Sequence, residues 1–160
     1  MILGMSAFLF VHVLLSLIGI FTGFVVMYGL LTAQRLDGWT LWFLATTAAT
    51  SVTGFFFPFH GFTPAIGVGI VSVIVLLAAI AARYSFHLAG HWRGTYIVTA
   101  VFALYLNTFV LVAQAFQKVP ALHALAPKGS EPPFAIAQGI VLLFFVVAGA
   151  LSVRRFRPVS

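Results

Sequence analysis

The sequence predicts an all-α integral membrane bundle of five transmembrane helices, with the N-terminus outside and the C-terminus cytoplasmic. Three observations predict it. The residues are 62% hydrophobic and only 6% charged, against roughly 25% charged in soluble domains. Five continuous apolar stretches approach the ~20 residues that a spanning helix needs. The basic residues fall unevenly between those stretches. Eight basic and two acidic residues in 160 cannot furnish a water-facing surface, so most of the surface must face lipid. The length allows a single transmembrane helical domain over residues 1–160. With no cysteine, disulfides, thiolate metal sites and cysteine nucleophiles are excluded.

The first stretch runs from about Met5 to Leu31 and is long enough to tilt. It lacks a basic leading segment and a small-residue cleavage site, so it reads as a span and not as a signal peptide. Arg35, Asp37 and Gly38 end it. The second runs from about Thr40 to Phe57 and is broken by Pro58 and Gly61. Thr63-Pro64 then reads as an N-cap with proline in the first helical turn. The third stretch extends from there to about Tyr84, and Gly90 and Arg93 punctuate the turn after it. The fourth goes from about Thr95 to Phe116. A proline-rich connection from Val119 to Pro132 follows, with Ala121–Leu125 expected as a short interfacial helix. The fifth stretch spans about Pro133 to Ser152. The continuous apolar character excludes an alternating β-barrel pattern.

Orientation follows from basic-residue bias. Arg35, Arg83, Arg93, Arg154, Arg155 and Arg157 fall on one side, and Lys118 and Lys128 on the other. Trp39, Trp42 and Trp92 lie at the arginine-rich end, as interface anchors should. The net charge of +6 therefore marks topology, and no nucleic-acid partner is expected. The tail Arg154, Arg155 and Arg157 reads as a stop signal facing anionic lipid.

In lipid, small residues and interhelical hydrogen bonds mark the packed faces. His12, Ser16, Gly19 and Gly23 share one face of the first helix, and Gly19 to Gly23 forms a G-x-x-x-G. The second helix offers Thr46, Thr50 and Thr53, with Ser51 beside them. The third offers only Ala65, Gly69 and Ser72. The fourth carries Ala103, Asn107, Gln114 and Gln117 near one face, and the fifth carries Gln138. At ~1.5 Å per residue, His12, Thr50, Asn107, Gln114 and Gln138 lie at comparable depth in the outer half. The loop histidines His60 and His123 belong to that side. The inner half offers no matching buried set, its polar groups being tyrosines, arginines and threonines near the boundary. The convergence has two readings. One is interhelical hydrogen bonding with a satisfied His12. The other is a polar-lined pocket, because a histidine at membrane depth is a functional-site candidate.

Specific chemistries find weaker footing. A b-type haem needs imidazoles aimed at one iron. His12 is on a helix, but no second histidine lies clearly at membrane depth, and Ala89-Gly90 interrupts His87 and His91. His12, His60 and His123 are weak candidates for a metal site. Transport pathways usually carry buried carboxylates, whereas Asp37 and Glu131 both fall in predicted loops. No serine sits in a nucleophile-elbow setting. The aromatic run Phe55–Phe62 would cap the pocket or form an interface belt.

The segments His12–Ile20, Leu36-Asp37-Gly38-Trp39, Ser51–Phe55, Arg83–Gly90 and Val119–Leu122 resemble a group of small bacterial multi-pass membrane proteins. The resemblance covers most of the chain. It implies a bacterial inner-membrane setting and carries no activity or cofactor. The chain lacks the paired histidines at membrane depth that define the four-helix cytochrome b families. The expectation is a non-enzymatic membrane protein that holds a lipophilic or amphipathic molecule or supports a partner subunit or second copy. Its ligand-binding residues would be His12, Thr50, Asn107, Gln114 and Gln138. The alternative is a redox protein binding haem b or quinone through His12.

Overall fold

The computed structural model describes residues 7–34, 36–56, 64–86, 88, 90–127 and 131–156. It is all-helical, with no strand among the described residues. The helices are α1 (Ala7–Leu31), α2 (Asp37–Gly54), α3 (Pro64–Ile80), α4 (His91–Lys118), α5 (Pro120–Leu125) and α6 (Pro132–Arg155). A π-helical turn, Ala81–Ser85, prolongs α3. Among the described residues, four segments are long and apolar enough to cross a membrane: Phe10–Leu31, Ile66–Ser85, His91–Ala113 and Pro132–Arg155. The protein is therefore a multi-pass membrane protein. The second predicted stretch is the exception. It folds as α2, which is not among those four segments.

The boundaries have local causes. Leu36 takes a left-handed conformation (φ 45°) and lets α2 begin at Asp37, a turn earlier than the apolar pattern suggests. Asp37 then places a carboxylate in the first turn, where the helix dipole favours it. Pro120 starts α5 immediately after the extended residue Val119, so the short helix expected there forms. Gly90 has φ 55° and ψ −124°, a conformation that L side chains rarely adopt. That bend separates α4 from the preceding turn and rules out one continuous helix through His91.

Contacts at both ends define the topology. α1 and α2 run antiparallel: His12 meets Thr53 at one end, and Gly29 packs against Leu36 at the other. Arg83 reaches Asp37, so the end of α3 returns to the start of α2. α4 then ascends from Tyr96, beside Arg83, to Asn107, beside Ser16. α6 descends from Gln138, beside Phe109, to Phe156, beside Tyr96. α4 is the centre, packing on α1, α3, α5 and α6. α6 is peripheral and exposes Ile136, Ile140, Leu143 and Val147.

The packed core sits toward the arginine-rich end. Val26, Met27 and Leu30 of α1 meet Phe43 and Leu44 of α2 there, together with Ala79, Tyr96, Ile97, Ala100, Phe145 and Phe156. The close approach depends on Gly23: a Cβ there would stand 2.5 Å from Leu104 Cδ1 and 2.9 Å from Phe43 Cε1. The G-x-x-x-G face thus admits α2 and α4 together.

Candidate functional site

Toward the opposite end, hydrogen bonds between helices replace apolar packing. His12 is half-buried, and its Nδ1 lies 2.8 Å from Thr53 Oγ1. The Thr53 hydroxyl carries one proton, which it donates to the Ala49 carbonyl at 2.7 Å. With that proton on the carbonyl, Thr53 accepts from His12 in the tautomer that carries Nδ1–H. One turn deeper, Ser16 Oγ donates to Asn107 Oδ1 at 3.2 Å and ties α1 to α4. Gln138 Nε2 donates to the Phe109 carbonyl at 3.1 Å and ties α6 to α4.

Asn107 and Gln138 are both buried, and each has a second polar atom without a partner: Asn107 Nδ2 and Gln138 Oε1. Thr47 adds a third. Thr46, Thr50 and Thr53 turn their hydroxyls back to carbonyls four residues earlier. The buried Thr47 hydroxyl makes no such bond. It points at Gly19, where an ideal Cβ would meet Thr47 Oγ1 at 2.9 Å and both Asn107 Nδ2 and Thr46 Oγ1 at 3.3 Å. Two buried donor groups, from α2 and α4, therefore converge on the glycine face of α1. Leaving a buried polar group unmatched costs about 1–3 kcal/mol.

Of the residues expected to form the site, Asn107 stands at this convergence, and His12 lies one turn above it with its own partner. Thr50 is half-buried, and its hydroxyl is committed to the Thr46 carbonyl at 2.8 Å. Gln138 faces the α4–α6 seam. Gln114 lies on α4, and its side chain is outside the described residues. Among the metal candidates, His123 is exposed on α5 and His60 lies outside the described residues. Among the described residues no three histidines or carboxylates gather in a metal-binding group. Of the aromatic run, Phe55 covers Gly69 of α3, Phe56 is exposed, and residues 57–62 lie outside the described residues.

The expectation that the inner half lacks a buried polar set is corrected. Arg83 is 2% exposed, although an arginine closing an apolar run reads as an interface marker. It lies in the π-helical turn, and its side chain enters the bundle. There it pairs with Asp37, and its guanidinium sits 5.1 Å from the centroid of the Tyr96 ring. Thr40, Tyr96 and Ser152 are buried at the same end. Nearby, Arg93 Nη1 donates to the carbonyls of Val153 at 2.9 Å and Phe156 at 2.8 Å, closing the C-terminus of α6. Thr47 and the Arg83 cluster escaped the sequence reading for one reason. Side-chain direction within a helix turn, unlike residue type, leaves no periodic trace.

No known family model, curated protein or solved structure matches this chain, so its site stands on its own geometry.

Proposed function

We propose that this chain is a five-span protein of the bacterial inner membrane, N-terminus outside, C-terminus cytoplasmic, and non-enzymatic by itself. In this reading its outer polar layer holds the oxygen-bearing head of a lipophilic or amphipathic molecule, such as a quinone carbonyl or a lipid ester. The observation that carries the reading is the convergence of Thr47 Oγ1 and Asn107 Nδ2, two buried and unmatched donors, on Gly19. An acceptor oxygen between them satisfies both at once. The bonds His12–Thr53, Ser16–Asn107 and Gln138–Phe109 hold the surrounding helices in register.

The five-span count is supported by the antiparallel pairing of α1 and α2, whose contacts extend from His12–Thr53 to Gly29–Leu36. A helix matched to α1 over that depth crosses what α1 crosses. Back-bonding of Thr40, Thr46, Thr50 and Thr53 to their own helix lowers the cost of placing these hydroxyls in lipid. The arginine bias and the exposed Trp39, Trp42 and Trp92 support the orientation.

The test is an oxidised and dithionite-reduced absorption spectrum of detergent-purified protein, with mass spectrometry of its organic extract, for wild type and Asn107→Leu. Wild type should carry a neutral oxygen-bearing lipophile at about one per chain and show no haem band. Asn107→Leu should lower that occupancy about tenfold, the equivalent of one lost hydrogen bond of ~1.4 kcal/mol. Identical extracts from the two proteins would overturn the ligand reading. A Soret band would replace it with a redox role.

A further inference from the structure

At the arginine-rich end, the last turn of α6 is completed by a side chain from another helix. The final four carbonyls of an α-helix lack a partner within it. In α6 the Phe156 N–H donates to the Ser152 carbonyl at 2.8 Å, and Arg93 Nη1 of α4 donates to the Val153 carbonyl at 2.9 Å. The same nitrogen holds the Phe156 carbonyl at 2.8 Å. Nη1 carries two protons, so it serves both carbonyls at once. Phe156 has left the helical path, with φ −80° and ψ 90°. It still prolongs the packed stripe of α6: Phe145, Ala148 and Ser152 are buried at helical spacing, and Phe156 follows four residues on. Phe156 is 0% exposed, whereas Arg154 and Arg155 just before it are exposed. Its ring lies against the fully buried Tyr96, with centroids 6.2 Å apart, and Tyr96 in turn meets the Arg83 guanidinium.

We propose that Arg93 and Phe156 form a latch: the guanidinium grips two carbonyls at the end of α6, the ring seals the arginine-side end of the bundle over Tyr96, and release of the grip admits water to Ser152, Tyr96 and Arg83. The latch is independent of the Gly19 site. A fully buried ring at a helix end, where the chain passes two exposed arginines, needs something to hold it inward, and the Arg93 bonds on either side of the last turn do so. The groups behind the ring are those that water would alter most. Ser152 Oγ is buried without a hydrogen-bond partner, and Arg83 keeps its charge inside the bundle while Asp37 is largely exposed. A dry setting strengthens that ion pair. The grip itself rests on one half-buried side chain at the end of a helix, the kind of place where local opening needs least free energy.

The chain contains no cysteine, so single cysteines can report on water access. Ser152→Cys places a thiol of similar size behind the seal. Ser72→Cys, buried on α3, reports on the rest of the bundle. Gly38→Cys lies in the open, where an added Cβ meets nothing within 4 Å. Each is treated with a charged methanethiosulfonate reagent in mild detergent, and the labelling rate is read by mass spectrometry of the intact protein. With the latch in place, Ser152→Cys and Ser72→Cys should resist the reagent, because a buried thiol is inert, and Gly38→Cys should react freely. Phe156→Ala and Arg93→Gln should each speed labelling of Ser152→Cys about tenfold or more and leave Ser72→Cys protected. Phe156→Leu retains an apolar plug and should retain the protection. Fast labelling of Ser152→Cys with the latch intact, failure of either Phe156→Ala or Arg93→Gln to accelerate it, or an equal acceleration of Ser72→Cys would each overturn the proposal.

Discussion

The arginine-rich half and the histidine-bearing half of this bundle are built from the same five long helices but held together differently. In the arginine half, large apolar side chains such as Phe43, Leu30, Ile97 and Phe145 interlock around α4. Charged groups close the end of the bundle: Arg83 on Asp37 and Tyr96, and Arg93 on the last carbonyls of α6. The turns there are tight, with Ala33, Leu36 and Leu88 at positive φ. Such residues cost of order 1–3 kcal/mol each and persist where the surroundings over-determine them. In the histidine half, single neutral hydrogen bonds cross the α1–α2, α1–α4 and α4–α6 seams, and His12 and Thr53 are only half-buried. Lipid removes most of the hydrophobic drive between helices, so packing and polar contacts divide the task. The half that packs tightly can bear strain and a buried charge. The half that packs less tightly joins its helices through neutral side-chain hydrogen bonds.

The largest test of this contrast is the ion pair, which should respond asymmetrically. The Asp37 side chain is 71% exposed and that of Arg83 1% exposed. Asp37→Ala removes the carboxylate paired with a buried guanidinium and should cost about 3 kcal/mol in a reversible unfolding titration, the lower end for breaking a buried ion pair from one side. Arg83→Met leaves a carboxylate that is already 71% exposed and should cost clearly less. Equal losses would show that Arg83 is not held through Asp37. Next comes Gly23→Ala, whose added methyl presses on Leu104 and Phe43. Overpacking of this kind should cost about 1–3 kcal/mol, read as a lowered melting temperature. A neutral result would mean that α2 and α4 can retreat from α1.

The smallest effects belong to the histidine half. Thr53→Val removes the acceptor of His12 Nδ1–H and should cost roughly 0.6–1.7 kcal/mol, as interhelical hydrogen bonds in membranes do. Thr50→Val, one turn away, removes a hydroxyl bonded only within its own helix and should stay within about 0.5 kcal/mol. If the two variants behaved alike, the His12–Thr53 contact would contribute nothing to holding α1 against α2.

Helices, their breaks and the membrane setting were legible in the sequence, because each rests on signals local to a segment. Apolar runs of spanning length, Pro120 and Pro132 at helix starts, and Gly90 between helices act where they stand. The residue types His12, Asn107 and Gln138 and the helices that carry them were legible too. Their partners were not. Asn107 meets Ser16 and Gln138 meets the Phe109 carbonyl because of how the helices rotate against one another. A backbone carbonyl has no sequence signature at all.

What the sequence by itself determined is therefore the set of helices, their order and the solvent they require, since these follow from hydropathy and turn chemistry along the chain. Only the tertiary structure decided that Arg83 turns inward, that Thr47 and Asn107 converge on Gly19, and that Phe156 packs on Tyr96. Those outcomes depend on the rotation and close approach of helices distant in sequence, which the spacing within one helix does not encode.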